Sequence, residues 1–145
     1  MSLSDWAKNG WLQPHNTSDQ ETANLFTIVD RELQDAAVTE ISQDARLGML
    51  YNAALKLADV ALRSAGYRAA RGGLQHHRII MTLSFTLGND WQTTAEYLDA
   101  TRQLRNKADY ESVGFATQAQ LEELRTIVEE LRKAVADRVR RGESA

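Results

Sequence analysis

Apolar residues recur at steps of three and four along most of this chain, the period of helices with one face turned inward. Ser18 with Glu21 three positions later forms a capping-box pattern, and Ala23, Leu25, Val29, Leu33 and Ala37 follow as the inward face of a first main helix. Ser42 opens a second, carried by Leu47, Leu50, Tyr51, Ala54, Leu57, Ala58, Ala61 and Leu62 and stopped by Gly66. Residues 67–73 read as a loop. A third helix, from about His76 to Leu87, has Ile79, Ile80, Met81, Leu83, Phe85 and Leu87 on nearly every side and is expected to be the central, most buried element. Gly88-Asn89-Asp90 ends it and caps a fourth helix over residues 90–109, which gives way at Tyr110 to a loop containing Gly114. Thr117 and Gln120 repeat the capping-box pattern. Beyond them Leu121, Leu124, Val128, Leu131, Val135 and Val139 form a long stripe, with Glu and Arg outside, that suits packing along a neighbour or a second subunit. No stretch alternates as a convincing strand. Residues 1–16 read as an arm laid over the bundle, with Trp6, Trp11 and Leu12 as a lid on the core. The expected fold is all-α: one domain of residues 1–145, an up-and-down bundle of four to five helices spanning residues 18–141.

The fourth helix breaks its own pattern. Its inward stripe starts with Trp91, Ala95 and Leu98 and continues, at the same spacing, into Arg102, Arg105 and Asp109. A charge aimed at a low-dielectric interior costs several kcal/mol unless it is paired, on the order of a domain's whole stability margin. Two explanations stay open. The helix end protrudes and Arg105 with Asp109 forms an exposed pair four residues apart, worth about 0.2–0.5 kcal/mol; or the helix end lines a polar cleft in which a guanidinium waits for an anion such as phosphate.

Composition limits the function. With 145 residues and 43% hydrophobic content, a single core forms without covalent staples. A net charge of −3 excludes a protein that coats nucleic acid by basicity alone. The charge is uneven: residues 1–62 carry 4 basic and 9 acidic groups, residues 63–145 carry 13 and 11. Arg63, Arg68, Arg71, Arg78, Arg102, Arg105 and Lys107 would make a local positive patch if the fold gathered them. The absence of cysteine excludes disulfides and thiolate chemistry. There is no apolar signal core, and the longest apolar run, near Ile79 to Leu87, is too short for a bilayer, so no membrane association and a cytoplasmic location are expected.

Most catalytic patterns are missing. His76 and His77 are adjacent and point about 100° apart on a helix, so no metal site and no cofactor are expected. Arg71-Gly72-Gly73 lacks the preceding strand, lysine and hydroxyl of a phosphate-binding loop. Thr82 and Ser84 have no histidine at triad spacing. Glu122-Glu123 and Glu129-Glu130 repeat on an outer face as solvated charge.

The succession of helices, Ala65-Gly66-Tyr67-Arg68, Gly72-Gly73-Leu74-Gln75-His76-His77-Arg78 and Arg105-Asn106-Lys107-Ala108-Asp109-Tyr110 resembles a HEPN domain over about residues 18–141. The resemblance implies a four- or five-helix bundle and commonly a homodimer. It implies either a metal-independent ribonuclease of toxin–antitoxin or defence systems, or a silent module that binds RNA, a nucleotide or a protein partner, often beside a nucleotidyltransferase. The family's motif is an arginine, a polar residue and, four to six positions after the arginine, a histidine. Arg105 and Asn106 match the first two, whereas Asp109 and Tyr110 stand where the histidine is sought. Cleavage through a 2′-hydroxyl needs a base near neutrality, and unperturbed aspartate and tyrosine titrate near ~3.9 and ~10. In an active version Arg105 would stabilise the phosphorane, Asn106 would orient an oxygen, and Asp109 or Tyr110 would move the proton. Arg102, Lys107, His76, His77 and Arg78 would contact ligand, and His76 or His77 would replace the missing histidine only if the third helix opens beside the end of the fourth. The binding module is the expected function; the ribonuclease is the alternative.

Overall fold

A computed structural model describes the backbone of residues 1–111 and 114–144 and the side chains of residues 1–106 and 114–142. Three helices carry most of its buried core: α2 (Asp19–Ala36), α3 (Gln43–Ser64) and α7 (Gln118–Ser144). The others are α1 (Leu3–Lys8), α4 (Gln75–Met81), α5 (Leu83–Thr86) and α6 (Gln92–Glu111), with two short strands, β1 (Leu12–Pro14) and β2 (Tyr67–Ala69). The result is an all-α single-domain bundle with a small antiparallel ladder at one side.

The long helices start where local chemistry places them. Ser18, Ser42 and Thr117 each accept a hydrogen bond from the backbone N–H three residues on, and Gln120 returns the bond to Thr117, a complete capping box. At Ser18 the box is incomplete because the Glu21 carboxylate turns instead to His15 and Arg63. Gly66 and Gly88 take φ of +92° and +105°, a region favouring glycine, and they end α3 and the α4–α5 pair.

The centre of the bundle is α3, not the expected third helix. Ala53, Ala54, Ala58 and Ala61 are buried with Leu50, Leu57 and Leu62, and these small residues let both α2 and α7 pack closely against α3. The α7 stripe is buried from Leu121 to Val135 against α3 and is half-buried at Val139. On α2 the inward face runs Val29, Leu33 and Ala36, while Ala23 and Ala37 lie exposed. Polar ties close the rim. Arg132 grips Asp30 through two bonds of 2.7 and 3.0 Å, and Arg46 donates to the Ala36 carbonyl at the end of α2, whose last turn has no basic residue of its own.

Residues 75–86 form two helical pieces because Thr82 hydrogen-bonds back to the Ile79 carbonyl at 2.6 Å and the chain bends there. A short 3₁₀ turn, Asn89–Trp91, precedes α6, whose backbone continues helical through Tyr110 to Glu111. The expectation of no strand is corrected by β1 and β2, which pair Leu12 with Ala69 and Pro14 with Tyr67, so residues 67–69 are not loop. The N-terminal arm does cover the bundle: Trp6 meets Trp11 and Phe85 edge to face, and Leu12 is buried.

Candidate functional site

The polar end of α6 is built from a helical face that changes character within two turns. Ala95, Leu98 and Thr101 are buried, and Thr101 satisfies its hydroxyl on the Tyr97 carbonyl. Arg102 and Arg105 come next, both half-buried. Arg105 lies across α3, with its guanidinium carbon 5.5 Å from the ring centroid of Tyr51. Gly48 on the same face of α3 leaves ordinary room there, since a Cβ would stand 3.5 Å from Arg105 Nε. Arg105 makes no ion pair among the described residues. Side chains of Lys107, Asp109 and Tyr110 lie outside the described residues.

The first turn of α4 faces this end of α6. His76 lines a small cleft of about 150 Å³ with Gln75, Arg102, Asn106, Gly72 and Gly73. Much of His76 remains in water, yet its partial burial lowers its pKa below the ordinary histidine value, and Arg105, Arg102 and Lys56 push in the same direction. His77 Nδ1 stands 2.9 Å from Asp99 Oδ1, the oxygen that also accepts from Arg102 Nε at 2.8 Å. Burial pushes the Asp99 carboxyl up, but the hydrogen bonds from Arg102 and His77 outweigh it and hold the group below its usual range. Lys56, from α3, is paired with Glu32 at 3.1 Å.

Beneath Arg105, Tyr51 is 1% exposed and its hydroxyl has no hydrogen-bond partner among the described residues. Burial pushes its pKa up to about 12 against the opposing pull of Arg102 and Arg105. A buried hydroxyl left without a partner costs about 1–3 kcal/mol, and few native side chains bear that cost without a reason.

Of the residues singled out from sequence, Arg102, Arg105, Asn106 and His76 therefore come together, with His77 alongside through Asp99. Arg78 does not: its guanidinium stacks 4.9 Å from the Trp11 ring and ties α4 to the arm. The second-half cations are dispersed, since Arg63 is held by Asp59 and Glu21 on another side. Sequence reasoning missed Asp99, Lys56 and the Tyr51 hydroxyl. Asp99 carried a signal, its spacing of three from Arg102; Tyr51 carried none beyond a place on a buried stripe.

A larger cavity of about 460 Å³ lies away from this cluster, walled by Leu87, Trp91 and Arg138. Arg138 donates there to Ser64 Oγ and to the Thr86 carbonyl, which makes it a brace for the end of α5. The smaller cleft is the better candidate: the cavity at Arg138 has no histidine or asparagine, and one of about 230 Å³ lined by His15, Asn16 and Arg63 has its His15 and Arg63 already held by Glu21 and Asp59. Among the described residues no group of three or more His, Asp or Glu side chains is placed to hold a metal ion, and no helix is long and apolar enough to cross a membrane. No family model, curated protein or solved structure matches the chain.

Proposed function

We propose that the protein is a HEPN-like module that binds the phosphate of RNA or a nucleotide at the polar end of α6, where Arg105 stands near the cleft of Arg102, Asn106 and His76. The observation that carries this reading is Arg105, a half-buried guanidinium resting on the Tyr51 ring with no carboxylate partner among the described residues. A partly desolvated cation gains most from an anion, and the planar guanidinium fork matches two phosphate oxygens. Asn106 adds an amide donor to the cleft that Arg102 and His76 line. A homodimer, a nucleotidyltransferase-type or other protein partner, a toxin–antitoxin or defence role and a cytoplasmic location belong to the same proposal. The test is fluorescence anisotropy of a short single-stranded RNA at low salt. Arg105→Ala is expected to weaken binding at least ~10-fold, about 1.4 kcal/mol, while its melting temperature stays near wild type. Wild-type protein that leaves the RNA free at millimolar concentration would reject the reading.

A second reading, a metal-independent endoribonuclease, is favoured by the place of the two histidines. The family's motif would carry a histidine after Arg105, and α6 has none; instead α4 presents His76 and His77 to Arg102 and Asp99. In such a reaction a base takes the 2′-hydroxyl proton, the oxygen attacks phosphorus, and an acid protonates the leaving 5′ oxygen. His76, its pKa lowered by burial and by the arginines, has the neutral form a base requires. RNA incubated with the protein in EDTA should then be cut, and His76→Ala should cut it about 10²–10⁴-fold more slowly. Equal rates in the two proteins would discard this reading and leave the binding module.

A further inference from the structure

The larger cavity beside Arg138 lies apart from the cleft at the end of α6 and has a chemistry of its own. Its volume of about 460 Å³ falls within the ~300–1,000 Å³ usual for small-molecule sites. Three parts of the chain build it: Leu87 just beyond α5, Trp91 at the end of the 3₁₀ turn, and one face of α7 that carries Ala134, Asp137, Arg138 and Arg141. Leu87 and Trp91 are half-buried, packed on the core yet open to the cavity, and give it an apolar wall.

Arg138 is held in one orientation at this wall. Its Nε donates to Ser64 Oγ at 2.8 Å and its Nη1 to the Thr86 carbonyl at 2.7 Å, while Ser64 itself donates to the Ala61 carbonyl at 2.7 Å. The last residues of α3 and α5 thus pin the guanidinium. Nη2, its third nitrogen, makes no hydrogen bond among the described residues and is not closed off from solvent. The other arginines of α7 are neutralised: Arg125 by Glu129, Arg132 by Asp30, and Arg140 and Arg141 through Asp137. Arg138 alone among them has no carboxylate partner among the described residues, and burial pushes its pKa below the ordinary arginine value. A cation partly stripped of water and offset by two neutral acceptors gains from an anion. Asp137 lines the same cavity, but its carboxylate is already shared by two arginines.

We infer that this cavity binds a small organic carboxylate with a flat apolar body, an oxygen of the carboxylate on Arg138 Nη2 and the body against Trp91 and Leu87. The guanidinium edge suits a carboxylate, and the indole accepts a flat ring offset or edge to face. The apolar wall works against free phosphate, which would exchange its hydration for contact with carbon. Nothing in this site depends on the phosphate binding proposed at the end of α6.

The experiment is an NMR titration of the whole protein with cinnamate, with cinnamyl alcohol as its uncharged counterpart and inorganic phosphate as the bare anion. Cinnamate is expected to move the Trp91 indole N–H and the backbone signals of Leu87 and Arg138, with a Kd of about 1 mM, as small ligands reach for their size. Cinnamyl alcohol should bind at least ~10-fold more weakly, as for one lost charge-assisted hydrogen bond, and phosphate should leave these signals in place. Arg138→Gln should reduce cinnamate to the affinity of the alcohol. That variant also loses the brace on α5, so Trp91→Leu, which leaves both Arg138 bonds in place, is the second; it should weaken cinnamate and the alcohol alike. Arg105→Ala should bind cinnamate as wild type does. The proposal is overturned by equal affinity of wild type for cinnamate and its alcohol, by cinnamate affinity that survives in Trp91→Leu or falls in Arg105→Ala, or by no shift of the Trp91 signal at about 10 mM cinnamate. The comparison of the two probes on wild type stands even if a variant fails to fold.

Discussion

The two sides of α3 solve opposite problems with the same kinds of residue. Toward α2 and α7, alanines and leucines interlock and three arginines have defined partners: Arg132 on Asp30, Arg46 on the Ala36 carbonyl, Arg125 on the Leu33 carbonyl and Glu129. Toward α4 and α6, among the described residues, a tyrosine hydroxyl is buried without a partner and an arginine lies on a ring with no ion pair, and the opposing helix is broken at Thr82. Stability concentrates where polar groups are satisfied. The phosphate binding proposed above is assigned to where they are not, and the unsatisfied groups are tolerable because the other side supplies the margin.

Changes on the two sides should therefore separate. The largest effect is expected from Leu57→Ala, which empties a fully buried position in α3 and should cost about 2–5 kcal/mol in urea unfolding. Affinity for RNA per folded molecule should not change; a matching loss of affinity would show that the two sides are one cooperative unit.

The pH profile of stability should carry the mark of the cleft side. Asp99 and His76 both have folded-state pKa values below their ordinary ones, so the unfolded chain binds their protons first. Their contribution is present above the ordinary values, near ~6.5 for histidine and ~3.9 for aspartate, and is lost as pH falls through the lowered folded values. Tyr51 has the opposite sign. Its pKa is raised to about 12, so its contribution is present below ~10 and lost as pH rises toward 12. Asp99→Asn should flatten the acid limb and Tyr51→Phe the alkaline one, read by urea midpoints across pH, whereas Leu57→Ala should lower the whole curve without reshaping it. An acid limb unaltered in Asp99→Asn would assign it to carboxylates on the other side.

The smallest expected effect sharpens the boundary between the sides. Gly48 is helical and a Cβ there would meet Arg105 Nε at an ordinary 3.5 Å, so Gly48→Ala should raise stability by about 0.5–1 kcal/mol through helix propensity. RNA affinity should move by less than about twofold, a change worth only ~0.4 kcal/mol. A larger loss would mean that Arg105 must sink toward α3 when ligand binds.

What the sequence made legible follows the range of the interaction. Ser18, Ser42 and Thr117 were readable as caps because their bonds span three residues, and the α7 stripe because its period is internal to one helix. The central place of α3 was not readable from hydrophobicity alone: residues 76–87 are richer in large apolar side chains, but close approach of two long neighbours favours the alanines of α3. The ladder of β1 with β2 was invisible because neither three-residue strand has a pattern until the other is beside it. The diversion of Glu21 to Arg63 depends on a residue from the far end of α3. At the cleft, Arg102 and Arg105 declared themselves by interrupting an apolar stripe. The arrival of His76 beside them depends on where a second helix begins, and the Tyr51 hydroxyl is hidden inside a side chain that the stripe correctly assigned to the interior.

The ladder also sets an order of events. Helices α2 and α3 are joined by the short segment 37–42 and can meet as soon as both form, but β1 must find β2 across the whole length of both helices. Loop closure of that span is slow and unrewarded until the helical pair exists. Since β2 runs on through residues 70–74 into the histidines of α4, those side chains reach their working positions in the last stage of folding. Tryptophan fluorescence from the arm should accordingly develop after far-ultraviolet ellipticity in a stopped-flow refolding trace. On the ribosome the arm is made before the helices it covers and docks after them.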